Sequence, residues 1–239
     1  MNTAVLLIFQ LIVFLFSVII HEVSHGYVAE KLGDPTARLA GRLTLNPISH
    51  IDPMGSIIVP LFLYITTSLT GAPIVFGWAK PVPYNPYNLR NPQQAAGKIA
   101  FAGPAANLLI ALVFGLIAFF LPIGGTIKHI VMQGVLSGNT NLVLSWLTTP
   151  FQILYLFAAM IVFVNVLLAI FNLVPIPPLD GSKVLFAFLP MTNTNLRVMR
   201  FLEQYGMVLI FIFIFFGFQL IFPIIGFFFN LFMGFGGGI

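Results

Sequence analysis

Four stretches of the chain stay apolar for long enough to cross about 30 Å of hydrocarbon. They run from about residue 5 to 30, 95 to 121, 151 to 174 and 196 to 222, and a short Phe-rich tail from Ile224 to Met233 follows Pro223. A fifth stretch, 54 to 70, is shorter, contains Pro60 and lies between Pro-rich segments, so it either spans or enters the membrane and returns. From Ala37 to Leu45 apolar and polar residues roughly alternate, which predicts short strands with Gly41 as a turn or bulge. The segment from Gly77 to Pro86 reads as extended, because prolines and the residues before them disfavour helix. No internal repeat stands out, and the connection from Pro122 to Thr149 is too short for an inserted peptide-binding domain. The expected fold is mainly α. It is a polytopic membrane protein of four to six transmembrane helices, with a small membrane-associated β-strand region and a re-entrant segment near 54–70, all in one domain over residues 1–239.

Composition agrees with lipid as the main solvent. Charged residues make up 7% of the chain and hydrophobic ones 59%, whereas a soluble domain carries roughly 25% charged residues. The net charge of +4 comes without a basic, aromatic-rich water-facing patch, so nucleic acid is not an expected partner and the excess reads as a topology signal. With no cysteine, disulfides and thiolate metal sites are excluded. The apolar run from Ala4 to Ile20 has no Lys or Arg before it and leads into the most informative motif of the chain, so it is expected to be a retained helix rather than a cleaved signal.

That motif is His21-Glu22-Val23-Ser24-His25. On a helix, residues four apart share a face, so both imidazoles can reach one ion. Glu22 lies about 100° round the helix from His21, near enough to hold a water on that ion. Zinc lowers the pKa of a bound water to near 7, and a neighbouring carboxylate can take its proton and pass it to a leaving amine. A chance match that makes only structural hydrogen bonds is the bland alternative. Histidine and glutamate inside a membrane helix are costly, which weighs against it.

A catalytic zinc keeps three protein ligands and one open position. The chain offers six acidic residues, Glu22, Glu30, Asp34, Asp52, Asp180 and Glu203. Asp180 stands out in Asn172-Leu173-Val174-Pro175-Ile176-Pro177-Pro178-Leu179-Asp180-Gly181, where prolines break the helix and Gly181 permits a close turn. Its alternative role is a helix cap. His50 and Asp52, by contrast, are expected to make turn hydrogen bonds and orient a loop.

Together, HEVSHG and NLVPIPPLDG resemble the site-2 protease family of intramembrane zinc metalloproteases, and Phe101-Ala102-Gly103-Pro104-Ala105-Ala106-Asn107 is similar to that family's Gly-Pro-x-x-Asn helix. The segment from Arg38 to Pro86 resembles its compact prokaryotic branch, which has no peptide-binding or nucleotide-sensing domain. The resemblance implies one Zn2+ held by His21, His25 and Asp180, with Glu22 as general base. It implies a role for Asn172 in steadying the substrate or the oxyanion, and substrate contacts at Gly103, Pro104 and Asn107. Asn107 could equally be a polar contact between helices, and Asn165 a weaker one. The implied substrates are transmembrane proteins, whose chain would pair with the expected strand edge near Arg38 to Leu45.

His25 and Asp180 can meet only if the chain returns to the side where the first helix ends. A re-entrant 54–70 satisfies this and puts Lys31, Arg38, Arg42, Lys80, Arg90, Lys98, Lys183, Arg197 and Arg200 on that side, with Lys128 opposite. Positive charge marks the cytoplasmic side, so the expected protein is a multi-pass cell-membrane protein with its active site towards the cytoplasm. A metal-binding transporter and an inactive scaffold are the competing readings. The first predicts a track of intramembrane acids and two repeated halves, and the second would tolerate loss of Glu22 or Asp180.

Overall fold

The computed structural model describes residues 3–68, 79–139 and 143–234. In chain order the helices are α1 (Thr3–Lys31), α2 (Thr36–Leu39), α3 (Val59–Ser68), α4 (Pro92–Phe119), α5 (Gly125–Leu136), α6 (Pro150–Asn172), α7 (Asp180–Phe188), α8 (Asn193–Ile212) and α9 (Phe218–Gly234). Among the described residues, four helical stretches are long and apolar enough to cross a membrane: Ala4–Lys31, Pro92–Phe119, Pro150–Asn172 and Asn193–Gly234. The outer face of α1 exposes Val5, Leu7, Ile8, Leu11, Ile12 and Phe14. So much apolar surface is stable only against lipid, and the protein is accordingly a multi-pass membrane protein.

Local chemistry sets the helix ends. Gly33, at φ 109°, lets the Asp34 N–H turn back to the Ala29 carbonyl at 3.0 Å and closes α1. Thr149 and Gln152 cap α6 reciprocally, and Pro150 sits in its first turn, where a missing N–H costs nothing.

The centre of the bundle is α6, packed against α1, α4, α5 and α9. Tyr155, Leu156, Ala159, Val162 and Val166 of α6 are buried there with Ile225 and Phe229 of α9. Contacts between α1 and α4 run in opposite orders, His25 meeting Ile99 and Ser17 meeting Asn107. The two helices are therefore antiparallel, and the segment joining them starts and ends at the same end of the bundle. Within it, Pro53–Ile58 forms a π-type turn that continues into α3. Sixteen helical residues from Pro53 to Ser68 rise about 24 Å, short of the roughly 30 Å needed to cross. Residues 69 and 70 of the expected fifth stretch lie outside the described residues.

Two expectations are corrected. No strand occurs among the described residues. Where strands were expected near Arg38 to Leu45, Asp34 captures the Thr36 N–H at 3.2 Å and starts the helical turn α2, and Gly41 at φ 65° then reverses the chain. No partner strand lies beside these nine alternating residues among the described residues, and the Arg42 guanidinium instead donates to the carbonyls of Ser49, Lys80 (2.5 Å) and Pro81 (3.3 Å). The second correction is at Pro223, which does not end the last helix. Ile221, Ile225, Phe229 and Met233 form a buried stripe at four-residue spacing, and packing of that stripe outweighs the missing N–H. The connection after Pro122 contains α5, packed on α6 with Val131 and Val135 buried.

A loop platform is tied beneath the end of α1. Buried Asp34 accepts from the Thr36 hydroxyl at 2.5 Å, the Asn85 N–H at 2.6 Å and the Asn88 amide at 2.7 Å. Burial alone would raise its pKa, but these hydrogen bonds outweigh burial and hold it below the ordinary 3.8. Its contribution to stability is therefore present at neutral pH and is lost only as the pH falls below the ordinary carboxylate range. Residues 79–85 of the expected extended segment carry no helix, while Gly77 and Trp78 lie outside the described residues. His50 is buried and makes loop contacts, with its Nε2 on the Thr44 carbonyl at 2.8 Å and its own carbonyl accepting from Lys80 N at 2.9 Å. Asp52 caps the π-type turn through Gly55 N at 2.8 Å.

Candidate metal centre

His21 and His25 lie one turn apart on the inner face of α1, with their ring centroids 4.7 Å apart. Lys31 ends this helix ten residues after His21, so His21 sits about 15 Å in from that end of the bundle. Asp180 comes from the first turn of α7, after the proline-rich segment has carried the chain out of α6. Its Oδ2 lies 3.0 Å from His21 Nε2 and 3.2 Å from His25 Nε2. Leu179, not Asp180, occupies the cap position of α7, and no side chain caps it. The Asp180 carboxylate is thus directed to the histidines.

Three donors around a tetrahedral zinc, at about 2.0–2.1 Å each, stand roughly 3.3 Å apart. The two separations from Asp180 Oδ2, 3.0 and 3.2 Å, are close to that value. Each histidine also has its other nitrogen engaged: His21 Nδ1 with Asn107 Oδ1 at 2.6 Å, and His25 Nδ1 with the Ile99 carbonyl at 2.7 Å. Both partners are acceptors, so each Nδ1 carries the proton and each Nε2 lone pair faces Asp180. The donor set and its tautomers fit a divalent zinc ion.

Glu22 is half-buried beside the pair. One ligand atom each from His21, Glu22 and His25 fall within 4.8 Å of one another. Glu22 Oε2 accepts from the Val82 N–H at 3.0 Å, so the chain at Val82 passes directly beside Glu22.

Gly103 is the nearest point of α4. A Cβ there would stand 2.5 Å from His21 Nε2 and 2.6 Å from His25 Cε1. Gly181 would place its Cβ into the Leu173 carbonyl, so it serves the close approach of α7 to the end of α6. Gly103, Pro104 and Asn107 were expected to meet substrate, but all three are buried and Asn107 is fully enclosed. Its amide donates to the Ser17 carbonyl at 3.2 Å and to Asn165 Oδ1 at 2.8 Å. Asn172 Nδ2 donates to the Leu168 carbonyl of its own helix at 2.9 Å.

Sequence reasoning missed the Ile99 carbonyl and the Val82 N–H. These are backbone groups, and no residue type announces them. Asn165 did give a signal, as a lone amide in the middle of the apolar α6, and was undervalued.

Residues 9–215 match the model of a family described as Peptidase family M50. YwhC of Bacillus subtilis, named as a candidate zinc metalloprotease, is 33% identical over 182 residues, covering 76% of this chain and 69% of that protein. Rip2 of Mycolicibacterium smegmatis, named in the same way, is 28% identical over 199 residues, covering 82% of this chain and 62% of Rip2. No solved structure matches the chain.

Proposed function

Because the chain belongs to peptidase family M50 and is a zinc metalloprotease, we propose that it hydrolyses peptide bonds in or near transmembrane segments of other membrane proteins. In this reading His21, His25 and Asp180 hold the zinc and Glu22 is the base. The observation that carries it is the approach of Asp180 Oδ2 to within 3.2 Å of both His21 Nε2 and His25 Nε2, deep in a bundle whose outer surface is apolar. Only a substrate that shares the bilayer meets such a site without leaving lipid.

Zinc, when bound, supplies Lewis-acid activation of water and of the scissile carbonyl. The rest falls to the chain's own groups. Asn107 and the Ile99 carbonyl hold the two imidazoles in the ligating tautomer. The Val82 N–H fixes one oxygen of Glu22, leaving Oε1 to take the proton of the attacking water and return it to the leaving amine. Asn172, half-buried ahead of the Asp180 turn, exchanges the Leu168 carbonyl for the substrate as the site fills. Removal of the third ligand tests the assignment. Purified Asp180→Ala should retain well under one zinc per chain where the wild type retains one; full retention takes Asp180 off the list.

The site faces the cytoplasm in this reading, and the segment around α3 is re-entrant. The antiparallel α1 and α4 support it, as does the placement of nine of the ten Lys and Arg residues at the site's end. The chain has no cysteine, so single cysteines report cleanly. In intact cells an impermeant thiol reagent should label Gly125→Cys and spare Tyr87→Cys, although Tyr87 is 96% exposed. Labelling of Tyr87→Cys from outside reverses the orientation.

A further inference from the structure

We infer that Asn165 is a positioning residue for the metal site, acting on His21 through Asn107. The inference rests on the reading of His21 as a zinc ligand.

Three side chains from three helices form one line of hydrogen bonds. Asn165 Nδ2 donates to the Ile161 carbonyl at 2.9 Å, Asn165 Oδ1 accepts from Asn107 Nδ2 at 2.8 Å, and Asn107 Oδ1 lies 2.6 Å from His21 Nδ1. Asn107 and Asn165 are both 0% exposed, and His21 is 5% exposed. An amide in water can turn over at little cost, exchanging its donor and acceptor ends. Here the Ile161 carbonyl can only accept, so it fixes which end of Asn165 points at it. Asn165 Oδ1 must then face Asn107, which fixes Asn107, and the Ser17 carbonyl at 3.2 Å takes another proton of the same Asn107 nitrogen. Asn107 Oδ1 is left facing His21, and its only complement is a protonated Nδ1. The order is set at a backbone carbonyl of α6 and ends at His21 Nδ1 of α1, which leaves Nε2 to face the metal.

The cost of reversal explains why the line matters. Turning either amide over would bring two donors or two acceptors together with no water to intervene, and buried polar groups left unpaired are expensive. Without Asn165, the Asn107 amide loses one of the two acceptors that orient it, and His21 can rotate or shift its proton to Nε2. A partner that orients a metal-binding histidine is worth roughly 10- to 100-fold in metal affinity. The simpler alternative is that the two asparagines only hold α4 and α6 together, as asparagine commonly does between membrane helices.

Zinc affinity separates the two, measured by competition with a chromophoric chelator on purified protein in detergent, alongside the melting midpoint of the zinc-free protein. Asn165→Leu should weaken zinc by roughly 10- to 100-fold. Asn165→Asp, whose fully buried carboxyl is held protonated and so both donates to the Ile161 carbonyl and accepts from Asn107, should recover most of that loss. In an Asn107→Leu background, Asn165→Leu should weaken zinc no further, because the line is already cut. Asn165→Ser, too short to reach Asn107, carries the same expectation as Asn165→Leu should that variant fail to accumulate. Wild-type affinity in Asn165→Leu or Asn165→Ser overturns the inference. So does an equal loss in Asn165→Asp, or a full additional loss in the Asn107→Leu background. Failure of the wild type to bind zinc, or unchanged binding in His21→Ala, would instead remove the ligand assignment beneath it.

Discussion

Glu22→Gln keeps its zinc and loses peptide hydrolysis by roughly 100- to 10,000-fold, the range that a positioned general base supplies. The substitution preserves shape and an oxygen that can still accept from the Val82 N–H, so the 79–83 segment stays in place. It leaves His21, His25 and Asp180 untouched. What it removes is the group that takes the proton from the attacking water. A rival assignment makes Glu22 itself a ligand, since its carboxylate falls within 4.8 Å of the ligand atoms of both histidines. Zinc content decides between them: a base leaves one ion per chain in Glu22→Gln, whereas a ligand takes the ion with it. Equal hydrolysis by Glu22→Gln and wild type would reject both.

Gly103→Ala removes the zinc although residue 103 carries no donor. The added methyl would stand 2.5 Å from His21 Nε2 and 2.6 Å from a carbon of each imidazole, too close for any real contact. Either the rings turn away from Asp180 or α4 backs off α1. The second movement also pulls Asn107 from His21, because Gly103 and Asn107 are one helical turn apart. On helix propensity alone the change favours folding by about 1 kcal/mol, so a loss cannot be blamed on a weakened helix. Metal analysis should find little zinc in Gly103→Ala, as in Asp180→Ala, while Ala102→Gly on the neighbouring face keeps it. Full occupancy in Gly103→Ala would mean that α4 does not press on the metal site.

The site was more legible than the fold that carries it. Two histidines four apart can share an ion on any helix, so His21 and His25 followed from spacing alone. Asp180 stood out at the end of the proline-broken segment but became the third ligand only through the family resemblance, because it lies 155 positions after His25 and no local pattern links them. Helix lengths followed from hydropathy. The errors came where context overrides local signal. Alternation near Arg38 to Leu45 suggested strands, yet Asp34 and Gly41 impose turns. Pro223 suggested a stop, yet the stripe from Ile221 to Met233 packs through it. Asn107 was left open between a substrate contact and a contact between helices, and the hydrogen bonds to Ser17, Asn165 and His21 show the second.

The central claim is hydrolysis within the membrane, and mapping the cut tests it most directly. Wild type and Glu22→Gln are reconstituted into sealed liposomes with a panel of single-span proteins, and the products are weighed by mass spectrometry. The account predicts new termini inside a hydrophobic segment with the wild type only. Cuts confined to water-exposed loops, or the same cuts with Glu22→Gln, would contradict it.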